Sequence, residues 1–144
     1  MQVVTEPVDF LADWAAKRIP GCTEFKDPAA VGICRDGKLA CVVVYTMLGS
    51  WKDGGHAEVS FASDNPRWAT KEAVNLLLGI GFYTLGCSRL TARIEKRLRR
   101  SRKLVEGLGF VREGAMRQAT PEGRTVILYG LLRKEFEEGK YGQE

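Results

Sequence analysis

The sequence predicts an α/β fold, a mixed sheet with helices packed on its faces. Three observations carry this expectation. The turn sequences Asp36-Gly37 and Thr120-Pro121-Glu122-Gly123 each join two strand-like segments, so a purely parallel sheet is excluded. Helical patterns at residues 67–85 and 99–108 sit between strand patterns, an arrangement that a sandwich does not accommodate. The chain has 144 residues, 44% hydrophobic and 28% charged, which suits a single packed domain over residues 1–144.

The elements follow in order. Residues 2–5 suit a short strand closed by Pro7. Asp9 is expected to cap a helix through Ile19, with Phe10, Leu11, Trp14 and Ala15 on one face, and Pro20-Gly21 stops it. Residues 22–30 read as loop. Residues 31–35 and 38–48 form a hairpin about Asp36-Gly37, with Val42, Val43, Val44 and Tyr45 as strong strand formers. Residues 49–55 read as a polar, mobile loop, and 57–63 as a strand in which Val59 and Phe61 alternate with Glu58 and Ser60.

Asp64-Asn65-Pro66 then offers a side-chain cap followed by proline, whose missing N–H is harmless in a first helical turn. The helix from Arg67 to Leu85 is apolar over most of its girth, and Gly79 and Gly81 within it point to close approach to the sheet. Residues 89–95 form a strand, and residues 99–108 a short helix ended by Gly109. Residues 110–119 and 124–133 form the final hairpin, and residues 135–144 read as a solvated tail.

The function classes narrow by exclusion. No run approaches the roughly 18 apolar residues of a membrane span. Glu6, Asp9 and Asp13 argue against a signal peptide, so a cytoplasmic protein is expected. Cys22, Cys34, Cys41 and Cys87 show no C-x-x-C spacing and His56 no ligand spacing, so reduced thiols and no metal site are expected. Residues 1–72 hold 8 basic and 10 acidic side chains, residues 73–144 hold 14 and 8. The excess gathers in Lys96, Arg97, Arg99, Arg100, Arg102 and Lys103, a cluster that calls for an anion.

From Ala57 to Phe136 the chain resembles the GNAT acetyltransferase family. The segment Arg102-Lys103-Leu104-Val105-Glu106-Gly107-Leu108-Gly109-Phe110-Val111-Arg112-Glu113-Gly114 is similar to the end of the family's last helix and the following strand. Val126-Ile127-Leu128-Tyr129-Gly130-Leu131-Leu132 is similar to its last strand. Asn65-Pro66-Arg67-Trp68-Ala69-Thr70 resembles the matching stretch of GNAT-like proteins of bacteriophages and prophages, which would place the protein in a host cytoplasm.

The resemblance implies a mostly antiparallel sheet with helices on both faces and a splayed central strand pair. Residues 58–63 and 89–95 would flank the gap, where the pantetheine arm of acetyl-CoA pairs with main-chain groups. Phe61, Ala62 and Ser63 would line it. Arg67, Trp68, Ala69, Thr70 and Lys71 would hold the pyrophosphate at a helix N-terminus, with Arg99 and Arg102 near the 3′-phosphate. Thr70 and Glu72 stand where the family's phosphate loop has small residues, and Leu98 and Val105 where many relatives have asparagine and an acidic tyrosine.

Acetyl transfer needs a neutral amine and a polarised thioester carbonyl. The N–H groups of Phe61 and Ala62 are expected to polarise it. Glu58 is the first choice of base and Glu95 the second, while His56 and Tyr129 read as an exposed loop residue and a packed strand residue. Trp14 and Trp68 read as packing residues and Trp51 as loop or substrate rim.

The resemblance thus implies an acetyl-CoA-dependent N-acetyltransferase, monomer or homodimer, acting on a protein lysine, a protein N-terminus or a small amine. The alternative is a weak or inactive module of the same fold that binds nucleic acid or an acidic host protein through its basic surface.

Overall fold

The computed structural model describes residues 1–22, 24–52 and 54–142. The parts of the predicted loops and tail at positions 23, 53, 143 and 144 lie outside the described residues. The chain forms β1 (Gln2–Val4), α1 (Val8–Ala16), β2 (Ala29–Arg35), β3 (Lys38–Trp51) and β4 (Gly54–Ser63). A 3₁₀ turn (Pro66–Trp68), α2 (Lys71–Gly79) and a π-helical turn (Ile80–Thr84) lead to β5 (Arg89–Glu95). Then come α3 (Arg99–Gly107), β6 (Val111–Met116), β7 (Val126–Leu132) and α4 (Arg133–Glu138).

The strands lie in the order β1-β2-β3-β4-β5-β7-β6, all pairs antiparallel except β4 with β5. The fold is therefore the mixed, mostly antiparallel sheet expected. Asp36 and Gly37 have φ of +54° and +75°, the left-handed pair that a two-residue hairpin needs. Gly123 has φ +77°, and its N–H bonds the Thr120 carbonyl at 2.8 Å to close the second hairpin.

Strand alternation divides the core between the two faces. Tyr45, Val59, Leu90, Ala92, Ile127 and Tyr129 point to the side of α2 and α3, where Trp68, Val74, Leu77, Phe82, Val105 and Leu108 meet them. Val42, Val44 and Ala62 point the other way, onto Leu11 and Ala15 of α1. A buried Tyr45 hydroxyl donates to the Leu77 carbonyl at 2.6 Å and pins α2 to β3.

Several expectations need correction. Asp9 lies in the first turn of α1 but does not cap it, and the helix ends at Ala16 rather than Ile19. The polar loop expected at 49–55 is instead the tip of a hairpin, because β3 extends to Trp51 and β4 begins at Gly54. The helix expected from Arg67 begins at Lys71. Asn65 Oδ1 accepts from the Arg67 N–H at 3.0 Å and Thr70 Oγ1 from the Ala73 N–H at 3.1 Å, so two caps make two separate turns. The same helix ends in a π turn, with the Leu85 N–H on the Ile80 carbonyl.

Gly81 lies in that π turn, where a Cβ would stand 2.9 Å from Leu90 Cδ2; Gly79 meets nothing closer than 3.8 Å. Only the first glycine marks close approach to the sheet. The start of the expected solvated tail is helical: α4 buries Phe136 against Phe82, with ring centroids 5.2 Å apart. Arg133, at the head of α4, donates to the carbonyls of Phe82 and Cys87 and fixes this helix over the π turn.

Candidate active site

Among the described residues, the seam between β4 and β5 lacks full pairing. β4 pairs with β3 from Ser63 to Gly54, and β5 pairs with β7 from Arg89 to Glu95. Between β4 and β5 the pairing covers only His56–Arg89, Ala57–Leu90 and Glu58–Thr91. Beyond Glu58 and Thr91 each strand stays in register with its outer neighbour, so the two halves of the sheet part here.

Backbone groups of a strand alternate sides, which identifies those facing the gap. The Gly55 carbonyl accepts from the Ser88 N–H at 2.8 Å, toward β5, whereas the Asp64 N–H donates to the Ala40 carbonyl at 2.9 Å, toward β3. Odd-numbered residues of β4 therefore face the gap. The Glu58–Thr91 pair is closed by the Val59 N–H donating to the Thr91 carbonyl; beyond it the Val59 C=O and both groups of Phe61 have no strand partner there among the described residues. Ala62 turns its groups to β3, opposite Val42, and cannot supply the N–H expected of it. Ser63 ends β4 on the gap side and is exposed.

At the open end of the gap the chain enters α2. The expected phosphate cradle is reshaped here. The N–H groups of Arg67, Trp68, Ala69 and Thr70 are taken by Asn65 Oδ1 and by the carbonyls of Asn65, Pro66 and Trp68. Those of Lys71 and Glu72 remain, at a helix N-terminus whose first turn leaves them without intrahelical acceptors. Arg67 is exposed beside them, and the Glu72 side chain is also exposed. Trp68 is 2% exposed and stacks on Phe61 at 6.2 Å, so its side chain supports the gap wall instead of reaching a ligand.

Polar side chains gather at the fork of the seam. Arg93 holds Glu58 from across the gap: Nη2 donates to Oε1 at 2.9 Å and Nε donates to Oε2. Glu58 is 15% exposed and Arg93 56%. Next to them, His56 Nε2 and Thr91 Oγ1 are hydrogen-bonded, and Thr91 accepts from Arg89 Nε at 3.0 Å. Arg89 in turn holds both carboxylate oxygens of Glu113. Burial, then the Arg89 charge, lowers the His56 pKa below 6.5, with Glu58 and Glu113 opposing. His56 is thus part of a network, not the exposed loop residue expected.

The remaining candidates lie apart from the fork. Glu95, at the far end of β5, is held by Arg97 at 2.9 Å and Arg124 at 3.8 Å. Tyr129 is fully buried and donates to Glu106 Oε2 at 2.6 Å, tying β7 to α3 as a packed residue. Arg102 Nε donates to the Lys96 carbonyl at 2.8 Å and closes the turn before α3, while Arg99 is exposed in its first turn. Trp51, at the end of β3, is 56% exposed. The four cysteines are free thiols, and the described residues contain no cluster of three or more His, Cys, Asp or Glu placed for a metal.

Arg93, Thr91, Arg89 and Glu113 were not singled out from the sequence. A signal existed in β5, where Arg89, Thr91 and Arg93 alternate with Leu90, Ala92 and Ile94. That period of two places three polar side chains on one face.

No family model matches the chain. It is 31% identical over 91 residues to an uncharacterized N-acetyltransferase, p20, of Bacillus licheniformis; the match covers 59% of this chain and 51% of that protein. The chain thus spans about half the length of this curated relative. A spermidine N-acetyltransferase of Vibrio cholerae superposes with a TM-score of 0.74 at 12% identity, over 95% of this chain and 96% of that one. A ribosomal-protein-S5-alanine acetyltransferase of Vibrio fischeri gives 0.71 at 16% identity, over 94% of each. An acetyltransferase of the GNAT family from Streptococcus pneumoniae gives 0.62 at 18% identity, over 91% and 98%. The fold is that of the GNAT acetyltransferases, and the sequence match to an N-acetyltransferase supports the same superfamily.

Proposed function

We propose that the chain is an acetyl-CoA-dependent N-acetyltransferase that passes the acetyl group directly to an amine. One observation carries this reading: β4 and β5 part after three paired residues, and the gap opens beside the N-terminus of α2. The residues fit the thioester substrate. A pantetheine arm is an extended chain with amides of its own, and the unpaired edge of β4, from the Val59 carbonyl through Phe61, offers it strand-like partners. The free N–H groups of Lys71 and Glu72, with the Lys71 and Arg67 side chains, suit the pyrophosphate. Exposed Arg99 suits a further phosphate.

The chemistry follows from the same residues. The Phe61 N–H polarises the thioester carbonyl without needing a side chain. Glu58, at the fork, takes one proton from the incoming ammonium and leaves the neutral amine; each of its oxygens keeps a lone pair beside its bond to Arg93. The amine nitrogen then bonds the carbonyl carbon, the C–S bond breaks, and a second proton from nitrogen returns to sulfur.

Calorimetry with acetyl-CoA and desulfo-CoA, followed by thiol-release assays, tests this. Micromolar binding with thiol release that depends on an added amine is expected. No binding of either ligand, together with salt-sensitive binding of DNA or RNA, would overturn the reading in favour of a binding module.

A further inference from the structure

The α1 side of the sheet is only half covered. α1 packs over β2, β3 and β4, while Val105 of α3 and Phe136 of α4 belong to the core on the opposite face. The same side of β5, β7 and β6 bears no helix among the described residues, and it adjoins the fork of the seam. An amine reaching the gap from this side meets two arginine–glutamate pairs.

The two pairs are built differently. Arg89 bonds both oxygens of Glu113 and the Thr91 hydroxyl, and the pair lies over Gly130, where a Cβ would come within 2.7 Å of both partners. It is a filled, structural contact. Arg93 uses Nε and Nη2 on Glu58, and its Nη1 has no hydrogen-bond partner among the described residues. A guanidinium offers two edges to carboxylates, and the end-on edge of Arg93 stays open at 56% exposure.

We propose that the acceptor is a zwitterion, an amine carrying a carboxylate a few bonds away, such as a free amino acid. This rests on the acetyl-transfer reading above. The fixed Glu58–Arg93 pair places a negative group beside a positive one, and a zwitterion aligns against it with both charges matched. Its carboxylate takes the open edge of Arg93, and its ammonium lies against Glu58, which removes one proton. The freed nitrogen forms the C–N bond, the C–S bond breaks, and the second proton goes to sulfur. A simple alkyl amine leaves the Arg93 edge unused. Arg93 is here a specificity-determining residue that touches the substrate away from the reacting atoms.

The experiment is a thiol-release assay with acetyl-CoA and the common L-amino acids, each paired with its own carboxamide. For the best acceptor, kcat/KM is expected to be at least tenfold higher for the acid than for the amide. Arg93→Gln should bring that ratio to about one while CoA affinity by calorimetry stays within twofold, which also reports that the variant folds. Arg93→Lys should fall between. Equal rates for acid and amide in the wild-type chain, no acetylation of any amino acid, or an undiminished ratio in Arg93→Gln overturns the proposal. CoA binding alongside any of these leaves the acetyl-CoA site standing, whereas absence of CoA binding removes both readings.

Discussion

Glu58 of β4 and Arg93 of β5 join side chains across the seam whose main chains have stopped pairing, with Arg93 Nη2 donating to Glu58 Oε1 at 2.9 Å. The pair keeps the candidate base at the mouth of the gap. It also gives that base a fixed cationic neighbour. As a partly exposed ion pair it contributes at most about 1 kcal/mol to stability. Glu58→Gln, which keeps the shape and one of the two bonds accepted from Arg93, is therefore expected to lower kcat by at least tenfold with the melting temperature within about 4 °C (about 1 kcal/mol). The KM for acetyl-CoA should change little. Steady-state kinetics and a thermal melt check this, and unchanged kcat across pH removes Glu58 as the base.

The two glycines at the end of α2 should respond in opposite directions. A Cβ on Gly81 meets both Leu90 methyls at 2.9–3.0 Å, inside a core where Leu90 is fully buried. Gly81→Ala is expected to cost about 1–3 kcal/mol. Gly79 is helical, with nothing within 3.8 Å, so Gly79→Ala should stabilise by about 0.5–1 kcal/mol. Urea denaturation of the two variants separates these effects.

Thr70 and Arg67, neighbours in sequence, divide capping from binding. Thr70 spends its oxygen on the Ala73 N–H, so Thr70→Val should cost about 1 kcal/mol of stability, while Thr70→Ser is neutral. Arg67 is exposed, and its guanidinium has no partner among the described residues. Arg67→Glu is expected to weaken CoA binding at least tenfold with little change in melting temperature. Calorimetry alongside thermal melts distinguishes the two.

His56 should impose a pH dependence. Burial and Arg89 lower its folded pKa below the unfolded value of 6.5. Between the two values the unfolded chain binds more protons, so stability falls as pH drops through that window and levels off below the folded pKa. His56→Gln should flatten this slope. A proton NMR titration of the imidazole should place its midpoint below 6.5; a midpoint at or above 6.5 contradicts the network described.

Local chemistry made much of this fold legible. Asp36-Gly37 and Pro121-Glu122-Gly123 dictate their hairpins through φ alone, and the strand periodicities of 57–63 and 89–95 name the two walls of the gap. Three features depend on tertiary partners and were less legible. The π turn exists because Gly81 must sit on Leu90. α4 exists because Phe136 finds Phe82 and Arg133 finds two carbonyls of the turn. Asn65 reads as the cap of the long helix, but it caps only the 3₁₀ turn; Thr70 starts the helix, and Trp68, between the two, packs on Phe61. The site was legible as a gap and a helix end. The pair of Glu58 with Arg93 was not, since 35 positions separate them and only the β4–β5 register brings them together.

The central claim is that the parted strands and the α2 terminus hold a CoA thioester through main-chain groups. An amide NMR titration with CoA tests it most directly. The expected result is saturable shifts of the Phe61, Lys71 and Glu72 amides, with Ala62 little affected. Shifts confined to the basic turn at 96–103, with those three amides unmoved at saturation, would contradict it.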